Sequence, residues 1–99
     1  MYTNEYDIRQ YERMLSCIER FKKGALEINN FISDLEALIN CIQEPDHSWK
    51  EKFNQEWAVL EDTYSYVLSD DRTIFSNDEL DLISRSVENL EALIKQVLH

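Results

Sequence analysis

The chain has very little glycine and proline: its 99 residues include one of each, Gly24 and Pro45. All-β folds need turn residues about every ten positions, because each short strand must be followed by a reversal. Long helices joined by a few connections have no such need. Since the hydrophobic content of 43% is ordinary for a globular protein, the composition predicts a single helical domain over residues 1–99.

Long apolar runs are also missing. The longest uninterrupted run is four residues, Trp57 to Leu60, whereas crossing a bilayer takes about 20. The first twenty residues carry charges throughout, so we expect neither a secretory segment nor contact with a membrane. These features predict a cytoplasmic location, in which Cys17 and Cys41 would remain free thiols.

Sequence signatures of catalysis and metal binding are absent. The chain contains no phosphate-binding glycine loop, no dinucleotide-binding glycine pattern, no zinc-protease motif and no nucleophile elbow. One of its two histidines is the last residue, and the other, His47, lies near Glu44 and Asp46. A solvated connection explains this group better than a metal site, because no second ligand cluster accompanies it. We therefore predict that the chain is not an enzyme and has no catalytic residues, metal or other cofactor.

Apolar residues recur at intervals of three and four along four segments, which is typical of amphipathic helices. The expected helices cover residues 5–23, 27–43, 48–68 and a fourth segment after Ser76. The third has its apolar positions at Trp49, Phe53, Trp57, Leu60, Tyr64 and Val67. The fourth has them at Leu80, Ile83, Val87, Leu90, Ile94 and Val97. Because each helix has one apolar face and the connections are short, the predicted fold is an all-α antiparallel four-helix bundle.

Three local patterns mark helix ends. Gly24 follows two lysines and is expected to adopt the left-handed conformation that closes the first helix. Ser48 with Glu51, and Ser76 with Glu79, fit the capping box, in which each side chain accepts a hydrogen bond from the other residue's backbone N–H. These two patterns predict where the third and fourth helices begin.

Basic residues are scarce: 20 acidic and 10 basic residues give a net charge of −10. Because binding nucleic acid requires Lys and Arg to neutralise phosphates, we expect no direct contact with nucleic acid. The excess is uneven, with a net −7 over residues 56–81 (eight acids and Arg72) and a net −5 over residues 24–49 (five acids and no base). Such surfaces attract basic partners, although the charge can also act only against aggregation.

The outer side of the third helix combines apolar residues with carboxylates. At about 100° per residue, Val59, Asp62 and Tyr66 fall together on the side opposite the apolar stripe. Single exposed apolar residues are common and need no explanation by themselves. Together with the acidic segment that follows, they predict a binding face for a basic partner. The predicted partner-binding residues are Val59, Asp62, Tyr66, Asp70, Asp71 and Asp78.

A small acidic helical bundle without catalytic motifs resembles the immunity proteins that bacteria carry against colicin-type and contact-dependent toxins. A helix of small bacterial helical proteins is similar to the segment that contains Trp49, Phe53, Trp57, Leu60, Glu61 and Tyr64. The resemblance implies tight inhibition of one cognate toxin that acts in the cytoplasm. A nuclease fits best, because its basic cleft complements an acidic inhibitor.

Two other functions and a second face remain open at this point. A helical adaptor or regulatory subunit, including a homodimer, would use the same kind of surface. A mimic of nucleic acid would present carboxylates in place of phosphates to proteins that bind DNA or RNA. The rival face consists of the acids of the second helix, Glu27, Asp34 and Glu36.

Overall fold

A computed structural model describes residues 4–98. These residues form the helices α1 (Glu5–Lys22), α2 (Ile28–Cys41), α3 (His47–Ser69) and α4 (Asn77–Leu98). No strand is found among residues 4–98, and the predicted all-α fold is confirmed. No predicted helix end differs from the observed one by more than two residues.

Each helix packs against two others. α1 contacts α2 and α4, and α3 contacts α2 and α4. Trp49, at the start of α3, donates a hydrogen bond from its indole Nε1 to the carbonyl of Leu93, near the end of α4, at 2.8 Å. Similarly, Asp7, at the start of α1, accepts a hydrogen bond from the backbone N–H of Gln43, just after α2, at 2.9 Å. These contacts join the beginning of one helix to the end of its neighbour, as an antiparallel bundle requires.

The core lies where the four apolar stripes meet. Large apolar side chains with no exposed surface come from every helix: Met14, Ile18, Phe31, Leu35, Phe53, Leu60, Leu90 and Ile94. Burying such a side chain stabilises the fold by about 1.5–3 kcal/mol. Aromatic contacts join helices, since Phe21 of α1 stacks on Phe31 of α2 with ring centroids 4.4 Å apart. Tyr11 of α1 meets Trp49 of α3 edge-on at 5.2 Å, across the diagonal of the bundle.

Two of the three predicted helix ends are confirmed. Gly24 has a φ of +76°, and its N–H bonds to the carbonyl of Phe21 while that of Ala25 bonds to Arg20, which is the Schellman arrangement. At the start of α4, the backbone N–H of Glu79 bonds to Ser76 Oγ at 3.2 Å, and that of Ser76 bonds to Glu79 Oε1 at 2.7 Å. The second capping box therefore forms as predicted.

The capping box predicted at Ser48 is wrong. The cap of α3 is Asp46, whose Oδ1 accepts a hydrogen bond from the backbone N–H of Trp49 at 3.0 Å. Ser48 Oγ donates to the same oxygen at 2.9 Å. Because aspartate caps a helix at least as well as serine, the helix begins at His47, earlier than the serine pattern indicates.

Of the apolar positions predicted on α3 and α4, Leu80 is exposed, and Trp57, Tyr64 and Val97 are only half-buried. Leu80 is 48% exposed, and the first buried residue of α4 is Ile83. Trp57 is half-buried at the edge of the core, where its Nε1 donates to the carbonyl of Ile32 at 3.0 Å. A helical stripe indicates which side of a helix faces the core, but not where the neighbouring helices end. None of the helices formed by residues 4–98 is both long and apolar enough to cross a membrane.

Candidate protein-binding surface

The segment 68–82, which we call the α3–α4 corner, comprises the end of α3, the connection and the first turns of α4. None of its residues is buried. At the opposite end of the α3–α4 pair, Trp49 is buried close to the start of α3, and Ile94 is buried close to the end of α4. α3 has 23 residues and α2 has 14, so α3 is longer by about 14 Å at 1.5 Å per residue. The corner therefore projects beyond the buried part of the bundle.

Acidic and apolar side chains are exposed together at the corner. Residues 68–82 contain five carboxylates and one base, Arg72, for a net charge of −4. Four large apolar side chains of the corner are exposed by between 46% and 78%: Leu68, Ile74, Leu80 and Leu82. Tyr66, two residues before the corner, is 64% exposed. The apolar exposure of this protein is thus concentrated where its acidic charge is also high.

Arg72 holds the corner together through local contacts. Its guanidinium forms a bidentate pair with the carboxylate of Glu79 at 2.7 and 2.8 Å, and its Nε bonds to Asp70 Oδ2 at 2.7 Å. Its Cζ lies 5.7 Å from the centre of the Tyr66 ring, within the range of a cation–π contact. The bonds from Arg72 lower the pKa of Glu79 to about 2, and those from Glu79 raise the pKa of Arg72. Arg72, the one basic residue of the corner, is therefore already neutralised by carboxylates of its own chain.

Asp71 closes α3 in a conformation that favours glycine. Its φ is +53°, its N–H bonds to the carbonyl of Leu68, and the N–H of Arg72 bonds to that of Val67. This is the arrangement that Gly24 adopts after α1, but with a side chain present. The left-handed region costs most residues about 1–2 kcal/mol, and aspartate tolerates it better than most.

The structure places the predicted partner-binding residues in three different environments. Asp62, Tyr66, Asp71 and Asp78 are exposed, and the ion pairs formed within residues 4–98 include none of these three aspartates. Asp70 is exposed but paired with Arg72. Val59, which was predicted to be exposed on the outer side of α3, is half-buried, because a helical wheel takes no account of what surrounds the helix.

Asp7 was not expected to have a role, yet it is the only carboxylate described as fully buried in residues 4–98, at 0% exposure. Its two oxygens accept hydrogen bonds from the backbone N–H groups of Gln43 and Glu44, at 2.9 and 3.0 Å. Burial, together with the charges of Asp7 and Asp46, raises the pKa of Tyr11 to about 12. One sequence signal was available, since Asp7 precedes Tyr11 by four positions and so lies on the apolar stripe of α1. This carboxylate ties α1 to the α2–α3 connection.

The rival acidic face on α2 has basic neighbours. Glu27 and Glu36 are exposed, whereas Asp34 is half-buried. Asp34 lines a groove between α1 and α2 together with Arg13 and Arg20. These arginines reduce the negative potential of this face, so the corner is the better candidate for attracting a basic partner.

Neither a metal site nor a known relative adds to this description. Over residues 4–98, no three His, Cys, Asp or Glu side chains are grouped so that they could hold a metal ion. No family model matches the chain, and no curated protein and no solved structure is significantly similar to it.

Proposed function

We propose that this chain is an immunity protein, which binds and neutralises a basic protein toxin that acts in the cytoplasm. The proposed binding surface is the α3–α4 corner with Tyr66 and Asp62. The observation that carries the proposal is that Leu68, Ile74 and Tyr66 are exposed on the same projecting part of the chain that has a net charge of −4. A contact surface needs both desolvated apolar anchors and a polar rim, and this segment supplies both.

The charge selects the class of partner. Phosphate-rich partners such as nucleic acid and anionic membranes carry the same sign of charge as the corner and would be repelled. A protein with a basic patch is attracted to it, and attraction of this kind speeds association. A nuclease is the toxin that fits best, because it must present Lys and Arg to the phosphates of its substrate.

The residues of the surface would have different roles. Tyr66 would be the anchor, since its ring gives a large contact area and one hydrogen-bonding group at low entropic cost. Asp62, Asp71 and Asp78 would pair with Lys and Arg of the toxin. Asp70 would act mainly through Arg72, which it already holds.

The proposal is tested by capture followed by a toxicity assay. The tagged chain, its Tyr66→Ala variant and its Tyr6→Ala variant are used to capture partners from the native cell. Tyr6 is the matched control, because it is also an exposed tyrosine but lies on α1. We expect one basic protein to be captured by the parent and by Tyr6→Ala, and much less of it by Tyr66→Ala.

The captured protein is then expressed alone and together with each variant. Growth arrest by the protein alone, relieved by the parent and by Tyr6→Ala but less by Tyr66→Ala, is the expected result. A captured protein that is harmless when expressed alone would instead favour an adaptor or regulatory subunit. Equal capture by Tyr66→Ala and by the parent would move the site away from the corner.

A further inference from the structure

An open groove lies beside the corner, between α2 and the end of α3. It offers about 390 Å³, and its apolar lining comes from Ile28, Tyr64, Val67, Leu68 and Phe75. Clefts that bind small molecules begin at about 300 Å³, so the groove can accept one large side chain. We call it the corner groove.

The groove is mostly apolar, and its charged lining residues are one acid, Glu27, and one base, Arg72. Ile28 and Phe75 are half-buried against the core, so they form a fixed lining. Leu68 is half-exposed at its edge. The charge of Arg72 is held by Glu79 and Asp70. A partner that approaches this groove therefore meets net negative charge and then an apolar surface.

Three possible occupants differ in their charge. A second copy of this chain would bring one net −4 corner against another, and like charges oppose such pairing. A lipid surface with anionic headgroups is disfavoured for the same reason. A basic protein is the occupant whose charge complements the corner and whose apolar side chain can leave water in the groove.

We infer that the corner groove receives a large apolar side chain, flanked by Lys or Arg, from a basic partner. This inference rests on the proposed function and specifies how the partner is recognised. The flanking cations meet the carboxylates of the corner, and the apolar side chain packs between Leu68 and Phe75. Charge then governs the rate of encounter, whereas the groove governs how long the complex lasts.

The test uses three short peptides with blocked ends, titrated into the ¹⁵N-labelled full chain at low ionic strength. They are KRKFKRK, KRKSKRK and SSSFSSS, which separate the contributions of charge and of the aromatic side chain. We expect KRKFKRK to bind about tenfold more tightly than either of the others. On addition of KRKFKRK, the backbone amide signals of the protein that shift should include those of Ile28, Leu68 and Phe75.

A matched pair of variants locates the contact. Leu68→Gln changes the edge of the groove, and Tyr6→Gln changes a large exposed side chain on α1, outside both the corner and the groove. Glutamine is chosen because its helix propensity is close to that of leucine. We expect Leu68→Gln to reduce the binding of KRKFKRK to that of KRKSKRK, and Tyr6→Gln to leave the tenfold difference intact.

The other outcomes overturn the inference in different ways. Equal binding of KRKFKRK and KRKSKRK at the corner would contradict the role of the groove, but it would still support the acidic binding surface of the proposed function. If neither basic peptide binds, the result would contradict both the groove inference and the proposed function. Equal binding of SSSFSSS and KRKFKRK would remove the requirement for a basic partner. Amide shifts of the groove that appear on concentrating the protein alone would assign it to a second copy.

Discussion

The α2–α3 connection and the α3–α4 corner are both acidic, but they are attached to the bundle in opposite ways. At the connection, Asp7 from α1 holds two backbone N–H groups, Asp46 caps α3, and Ile42 is buried. At the corner no residue is buried, and the main side-chain contacts, those of Arg72, remain local. The first region is attached to the bundle by buried residues, whereas the second is attached by the half-buried Phe75 and by the local contacts of Arg72.

This difference indicates how to interpret a carboxylate in an acidic chain. A carboxylate whose oxygens are already bonded to backbone N–H groups contributes to folding and is not accessible to a partner. A carboxylate on a projecting segment adds little to stability, because it is solvated and screened, but it remains available for recognition. Asp7 is of the first kind, and Asp71 and Asp78 are of the second.

The largest expected effect is on stability, from Asp7→Ala. Removing this side chain leaves two N–H groups of the α2–α3 connection without their acceptor, and hydrogen bonds to charged groups are worth about 1.5–3 kcal/mol. We expect the free energy of unfolding to fall by about 3 kcal/mol, measured by urea denaturation followed by circular dichroism. Asp62→Ala, on the exposed side of α3, is the control and should change it by less than about 0.5 kcal/mol. Equal effects of the two substitutions would abolish the distinction between the two kinds of carboxylate.

The second effect is on binding, from Tyr66→Ala. An aromatic anchor holds a complex together once formed, so its loss should accelerate dissociation of the captured partner at least about tenfold. Stability should hardly change, since the ring is mostly exposed. Surface plasmon resonance gives both rate constants for the complex.

The double variant Asp71→Asn with Asp78→Asn provides the contrast to Tyr66→Ala. It should slow association a few-fold and flatten its dependence on salt, while dissociation changes little. If the association rate and its salt dependence change when Asp34 is replaced by Asn and Glu36 by Gln, and not in the corner variants, the binding site belongs on α2.

A smaller effect compares the two Schellman motifs directly. Asp71→Gly removes a side chain from the left-handed region, so we expect it to stabilise the fold by about 0.5–1 kcal/mol. Gly24→Asp places a side chain there and should destabilise it by a similar amount, although nothing lies within 4 Å of the new Cβ. Thermal unfolding of both variants measures the difference. Destabilisation by Asp71→Gly would mean that the Asp71 side chain contributes to holding the corner.

The smallest effect is the response of the corner to acid. Because the pKa of Glu79 is lowered to about 2 from 4.5, its contribution is present above about pH 4.5 and is lost as the pH falls towards 2. Glu79→Gln lacks this contribution and should show a shallower loss of stability over that range. Glu88→Gln, at an exposed position of α4, is the control and should follow the parent.

Much of the fold could be predicted because the signals are local. Ser76 and Glu79 lie three residues apart, and Gly24 directly follows its helix, so the sequence alone indicated both ends. The hydrogen-bond partners of Asp7 are more than 35 positions away in the chain, and no local sequence pattern near Asp7 predicts them. The Ser48 pattern gave the wrong helix start because Asp46, two residues earlier, caps the helix by accepting from the N–H of Trp49.

The candidate site could be predicted in position but not in detail. Charge counting located the acidic segment, and the helical wheel correctly placed Tyr66 on the outside. Neither charge counting nor the helical wheel could reveal that Leu80 lies outside the core. The burial of Leu80 depends on where α1 ends and α2 begins, which the pattern of α4 does not contain. The pairing of Asp70 with Arg72 was also inaccessible, since it requires the backbone turn at Asp71.

The lack of buried residues in 68–82 has a consequence for how the protein can change over time. Apart from Arg72, Phe75 and Glu79, the residues of this segment are exposed, so most substitutions in it cost the fold little. A lineage can therefore alter these positions repeatedly without first acquiring compensating changes in the core. A molecule built in this way can keep its scaffold while its recognition of a partner diverges, and two descendants can come to share a shape but no target.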